Sequence, residues 1–198
     1  MGRFLAQVLI YLCLLTNAVA EPSSDSEVDS ISFESLVIKE SIFGDFSMLS
    51  KERDDYATNI TQLALIDAKA NPADEKTMES VRRFLALSLH LSPRNRLSVV
   101  ANHQLGKGIM PDSKDPEYSR SVFARLLLTR GELLKQQADE ADNVVGYFFI
   151  SLAAVLDPKN EDAVYASEIQ KIEGKEPQWS FLLADQEPLT EELDAGSN

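Results

Sequence analysis

Between Ser50 and Gly174 the apolar residues return at intervals of three and four, the spacing that lines them along one face of an α-helix. Tyr56, Ile60 and Leu63 mark the first such face, on a helix running to about Ala70. Asn71-Pro72 then restarts the chain. Asparagine caps well, proline is tolerated at the first helical position, and Asp74 and Glu75 sit where the helix dipole favours acids. In the second helix Met78, Val81, Leu85 and Leu89 form one stripe, with Phe84, Leu87 and Leu91 forming another beside it. An apolar arc that wide predicts an interior helix. Ser92-Pro93 ends it, because proline disfavours the helical conformation in the residue before it. Asn95 caps a third helix with Leu97, Val100, Ala101 and Leu105 inward, stopped by Gly106-Lys107-Gly108.

The same grammar continues. Asp115-Pro116-Glu117 opens a long fourth helix that buries Val122, Phe123, Leu126, Leu127, Leu133 and Leu134. A fifth runs from about Asp142 to Leu156 with Val145, Phe148, Phe149, Leu152 and Leu156 inward. A sixth begins at Asn160 and carries Ala163, Val164, Ile169 and Ile172 to a stop at Gly174. Only a weak stretch from Ile31 to Ile38 alternates as a strand would. The pattern predicts an all-α fold of about six main helices.

The two halves of this region repeat each other. Phe84 to Asn95 lies without gaps over Phe149 to Asn160 at an offset of 65, and Ala73-Asp74-Glu75 lies over Ala138-Asp139-Glu140 at the same offset. Helices that cannot bury their apolar faces alone stack on their copies. Leu152 to Asn160, with Asp157-Pro158 at the turn, resembles the end of the second helix of a tetratricopeptide repeat. Gly146 and Ala153 stand where that family has small residues for close helix packing, and Ile150 where it has a large one. Leu85, Ser88, Leu91 and Pro93 echo the pattern. The resemblance implies a short helical-hairpin stack over 50–174 that presents a groove to a peptide or a partner domain. Contacts would come from exposed polar side chains. The candidates are Asn102, His103, Arg120, Arg125 and Arg130, all on predicted helices near the basic middle of the chain.

The ends read differently. Met1-Gly2-Arg3, the apolar run from Phe4 to Leu15 and the small residues up to Ala20 form an export signal at 1–20, too short for a stable membrane span. Residues 21–49 begin polar and then carry Phe33, Leu36, Val37, Ile42, Phe43 and Phe46, the side chains of a short amphipathic helix laid on the stack. Residues 175–198 hold an apolar patch, Trp179-Ser180-Phe181-Leu182-Leu183, suited to capping the last face of the stack, then an acidic tail. Such a chain is exported, to a periplasm or to the exterior.

Composition narrows the chemistry. The single cysteine, Cys13, falls inside the export signal, so the remainder has no thiol for redox work or metal ligation. The formal charge of −13 is unevenly spread: residues 82–135 hold 10 basic and 4 acidic side chains, and both flanks are acidic. An acidic chain without basic runs repels nucleic acid, whereas the basic middle suits either the chain's own acidic flanks or an acidic peptide. His90 and His103 could form a metal pair across two helices, yet neither has a carboxylate three or four residues away on its own helix. Gly106-Lys107-Gly108 lacks the rest of a phosphate loop, no serine sits in a nucleophile elbow, and Asn59-Ile60-Thr61 is a glycosylation sequence placed mid-helix. The expectation is a non-enzymatic scaffold that binds a protein or acidic peptide and needs no cofactor. A self-associating structural subunit and an undetected hydrolase or metal-binding protein are the alternatives.

Overall fold

A computed structural model describes residues 31–44, 46–137 and 139–184; the expected export signal at 1–20, the polar stretch after it and the acidic tail from Asp185 lie outside the described residues. The fold is all-α. Its elements are α1 (Ser50–Ala70), α2 (Glu75–Leu91), α3 (Arg96–Leu105), α4 (Arg120–Lys135), α5 (Glu140–Leu156), α6 (Glu161–Ile172) and a short α7 (Trp179–Leu183), with no strand among the described residues. None of the described helices is long and apolar enough to cross a membrane.

Side-chain caps mark the starts of α2 to α6. Asn95 and Asn160 cap α3 and α6 as the sequence indicates, accepting from the amides of Ser98 and Ala163. At α2, however, the cap is Asp74, not Asn71. The Asp74 carboxylate takes both the amide and the hydroxyl of Thr77, at 2.8 and 2.6 Å, while the Asn71 amide closes the end of α1 on the Asp67 carbonyl. Helix α4 likewise begins after Ser119 instead of Asp115. The segment before it stays non-helical, and Tyr118 lies flat against Phe123 with ring centroids 6.4 Å apart.

The core is built around α2 and α5. Every residue from Phe84 to Leu91 is buried, as are Phe148, Phe149, Ile150, Leu152 and Ala153 on α5. The two helices are each 17 residues long, and their first and last residues are both 65 positions apart (75 to 140, 91 to 156). Tyr56 of α1 joins the two halves: its ring lies 5.0 Å from that of Phe149 and 5.9 Å from that of Phe123. Burial pushes its hydroxyl up to about 12, so it stays protonated. Helices α4 and α5 approach closely because Gly131 and Gly146 face each other; a Cβ on Gly146 would stand 2.8 Å from the Gly131 carbonyl oxygen.

Several side chains expected inside are outside. On α4 the buried stripe is Phe123, Ala124, Leu127, Gly131 and Leu134, so Leu126 and Leu133 fall on its flank and are exposed. On α3 the Ser98 hydroxyl meets that of Thr61 at 2.7 Å, turning Ser98, Ala101 and Leu105 inward and Val100 out. On α6 the buried face is Ala163, Ser167 and Gln170, leaving Ile172 79% exposed. Asn59 and Thr61 are buried within α1, which closes the glycosylation sequence to an enzyme in the folded state.

The largest departure is at 31–49, where the expected amphipathic helix is absent. The segment is a non-helical strap that buries Leu36, Phe43 and Met48. Its amides find partners on distant helices instead of four residues back. The Leu36 amide donates to Asn102 on α3 at 2.8 Å, that of Ile42 to His90 on α2 at 3.4 Å, and that of Ser47 to Asp142 on α5 at 2.7 Å. Gly44, at φ +62°, supplies a left-handed bend. The apolar patch at 179–183 also differs from expectation. It forms α7 and lies on the inner pair, with Leu182 buried and Trp179 edge-on to Phe148 at 5.1 Å, while Tyr165 on α6 stays 70% exposed.

Candidate functional site

The five polar candidates do not share a groove. Asn102 is spent on the strap: its side-chain oxygen accepts from the Leu36 amide and its nitrogen donates to the Leu36 carbonyl, at 2.8 and 2.9 Å. Arg120 pairs with Asp67 on α1. Arg130, on the same helix, reaches Glu52 at 2.8 Å and the Ser47 carbonyl at 3.2 Å. His103 and Arg125 are exposed, with no hydrogen-bond or ion-pair partner among the described residues. Together with Arg82, which holds Glu34 of the strap at 2.8 Å, these pairings join the basic middle to the acidic segment that precedes it. Partly exposed pairs of this kind contribute at most about 1 kcal/mol each, so their role is registration more than stability.

Asn102→Ala removes both clamps on Leu36 and is expected to lower the unfolding free energy by about 1–2 kcal/mol. Hydrogen exchange at the Leu36 amide should accelerate more than exchange in α2, and equal acceleration in both would show that the clamp is not local.

Cations do gather elsewhere. Lys39, Arg53 and Arg94 line a cavity of about 370 Å³ where the strap passes the start of α1 and the α2–α3 turn, together with Glu40, Ser41, Ser50 and Ser92. Asp54 sits beside it, accepting from the Ser92 hydroxyl at 2.9 Å and the Asn95 side chain at 2.8 Å, so the charge there is partly balanced.

Another concave surface is apolar. A trough of about 510 Å³ runs between α5 and α7, walled by Val144, Tyr147 and Phe148 on one side and by Pro177 and Phe181 on the other. A second hollow of about 280 Å³ shares Val144 and Phe181 and carries the trough on to Ile42 and Phe43 of the strap. Lysines stand at its edge. Lys175 lines the trough and pairs with Glu173 at 2.9 Å, and the ammonium of Lys135 lies 5.7 Å from the centre of the Tyr147 ring. The sequence signal for this site is the breadth of the apolar arc on α5: Val144 and Tyr147 border the buried face instead of belonging to it. What the sequence does not reveal is that α7 lies close enough to form the opposite wall.

Reactive groups are sparse here. His90 is fully buried and His103 exposed, so the two imidazoles do not form a metal pair. Among the described residues no group of three or more histidine, cysteine, aspartate or glutamate side chains is placed to hold a metal ion. The buried Asp142 carboxylate is occupied by Ser47, whose amide and hydroxyl donate to its two oxygens at 2.7 and 2.6 Å. The chain matches no protein-family model, no curated protein and no solved structure.

Proposed function

We propose that this chain is an exported, non-catalytic binding module of tetratricopeptide-like build, and that the trough between α5 and α7 is where it takes its partner. The single observation that carries this reading is the trough itself: an open, apolar surface of about 510 Å³ with few polar groups. Sites with that character hold apolar anchors, and a few polar groups at the edge fix their orientation. With Lys135 and Lys175 near the edge, offset in part by Glu176 and Glu173, the favoured partner is an apolar peptide segment with acids beside it. This keeps the acidic-peptide expectation and moves it from the arginines to the lysines. Export rests on the pattern of residues 1–20.

Selection from a random peptide library on the immobilised chain tests the proposal. Enriched sequences should combine two or more apolar residues with neighbouring acids. Phe181, 56% exposed on the trough wall, can be changed with little strain on the core. Phe181→Asp should weaken the selected peptides at least tenfold, about 1.4 kcal/mol. Enrichment that is indifferent to this change would place recognition elsewhere.

Self-association is a second reading, favoured by Tyr165 and Ile172, which stand 70% and 79% exposed on α6. Light scattering on the eluted chain separates the two readings. A dimer that Ile172→Lys dissolves would support association through α6, and a monomer at high concentration would remove it.

A further inference from the structure

His90 lies on α2 beneath both terminal segments of the described chain and has no exposed surface. Its Nδ1 stands 3.4 Å from the amide nitrogen of Ile42, on the strap. Its Nε2 stands 3.2 Å from the carbonyl oxygen of Leu182, on α7. An amide can only donate and a carbonyl can only accept, so the arrangement selects one tautomer: Nδ1 accepts, and Nε2 carries the proton and donates. In that neutral form the ring serves both segments at once. Protonation would set an Nδ1–H against the Ile42 N–H, a clash that the nearby Glu40 carbonyl relieves only in part, and would place a cation among apolar groups, with the Phe43 ring 5.9 Å away.

Among the described residues no acid is paired with the ring. Helix α7 has no titratable side chain. On the strap, Glu34 is held by Arg82, while Lys39 and Glu40 are exposed; on α5, Asp142 is held by Ser47 and Glu140 is exposed. On α2 itself the nearest charged side chain is Arg83, two turns away and paired with Glu79. Burial is the largest influence and holds the imidazole below its ordinary value near 6.5, with the carbonyls of Leu182 and Glu40 opposing it in part.

We propose that His90 is an acid-sensitive latch: neutral, it fastens the strap at Ile42 and α7 at Leu182 onto α2, and when it is protonated both segments let go. The sign follows from linkage. The released state binds the proton more readily than the fastened one, so fastening is complete above the ordinary histidine value. It weakens as pH falls below that value and through the lower value of the fastened state. The proposal does not depend on what the trough binds. Because α7 is one wall of the trough, release would dismantle that surface in acid.

The chain carries its own reporter. Trp179, the only tryptophan, sits on α7 against Phe148 at 5.1 Å, and His90 and His103 are the only histidines. Trp179 emission of the full chain, followed from about pH 7.5 to about pH 5, should shift to the red with a midpoint below 6.5. Hydrogen exchange at 31–44 and 176–184, corrected for intrinsic rates, should rise over the same range. His90→Gln should make the emission independent of pH in this range, and the exposed control His103→Gln should leave the transition in place. Steady wild-type emission across the range would overturn the proposal, as would a transition that survives His90→Gln or disappears with His103→Gln. If His90→Gln fails to fold, the wild-type imidazole resonance decides: titration below 6.5 in step with the Trp179 indole supports the latch, and titration at or above 6.5 ends it.

Discussion

Replacing Phe149 by alanine is expected to lower the unfolding free energy by about 3–5 kcal/mol, about a fifth or more of the roughly 5–15 kcal/mol that a domain usually has. The ring has no exposed surface and lies 5.0 Å from Tyr56, so it fills the space between α5 and the first helix of the other half. Neither neighbour can close the gap. Tyr56 is already committed to Phe123, and the backbone of α5 is fixed by its close approach to α4. Urea denaturation followed by far-ultraviolet circular dichroism measures the loss as a lower midpoint. An unchanged slope would show that the two halves still unfold together. A steeply reduced slope with two transitions would show instead that Phe149 is what couples them.

The second large effect runs against helix propensity. In an exposed helix, exchanging glycine for alanine stabilises by up to about 1 kcal/mol. At Gly146 the added carbon would lie 2.8 Å from the Gly131 carbonyl oxygen, and at Gly131 it would lie 2.9 Å from the Gly146 carbonyl oxygen and 2.8 Å from a side-chain carbon of Ile150. Backbone atoms cannot step aside, so α4 and α5 must separate. Each single change should therefore lower stability by about 1–3 kcal/mol despite the propensity gain. The double change should cost less than the sum, because the first carbon already forces the helices apart. Thermal unfolding of the three variants checks this, and a raised midpoint for either single change would refute it.

Which of these features the sequence discloses depends on how local their causes are. The helices α2 and α5 are legible because Met78 to Leu91 and Val145 to Leu156 carry their own apolar period. Their starts are only partly legible, since Asn71 and Asp74 are both good caps and the choice between them turns on Thr77 offering two donors to one carboxylate. The close approach of Gly131 and Gly146 is a property of a pair, so Gly146 can be recognised as small in the sequence but not as indispensable.

The strap and the trough lie beyond such signals for the same reason. Residues 31–49 hold their shape through Asn102, His90 and Asp142, none of which is near them in the chain, and no local propensity announces that. In the sequence Arg120 and Arg130 read as available to a partner, because their acids, Asp67 and Glu52, sit on another helix. The trough exists only once α7 has folded back across α5, which the apolar patch at 179–183 permits without specifying.

The strap also sets an order of assembly. Its anchors lie far downstream, Leu36 meeting a residue 66 positions later and Ser47 one 95 positions later. During synthesis the strap therefore emerges first yet has nowhere to dock until α3 and then α5 have been made. At a synthesis rate of about 5–20 residues per second, that wait lasts several seconds. Until those partners arrive, Leu36 and Phe43 stand unburied on a growing chain, the part of its life in which a chaperone has most to shield.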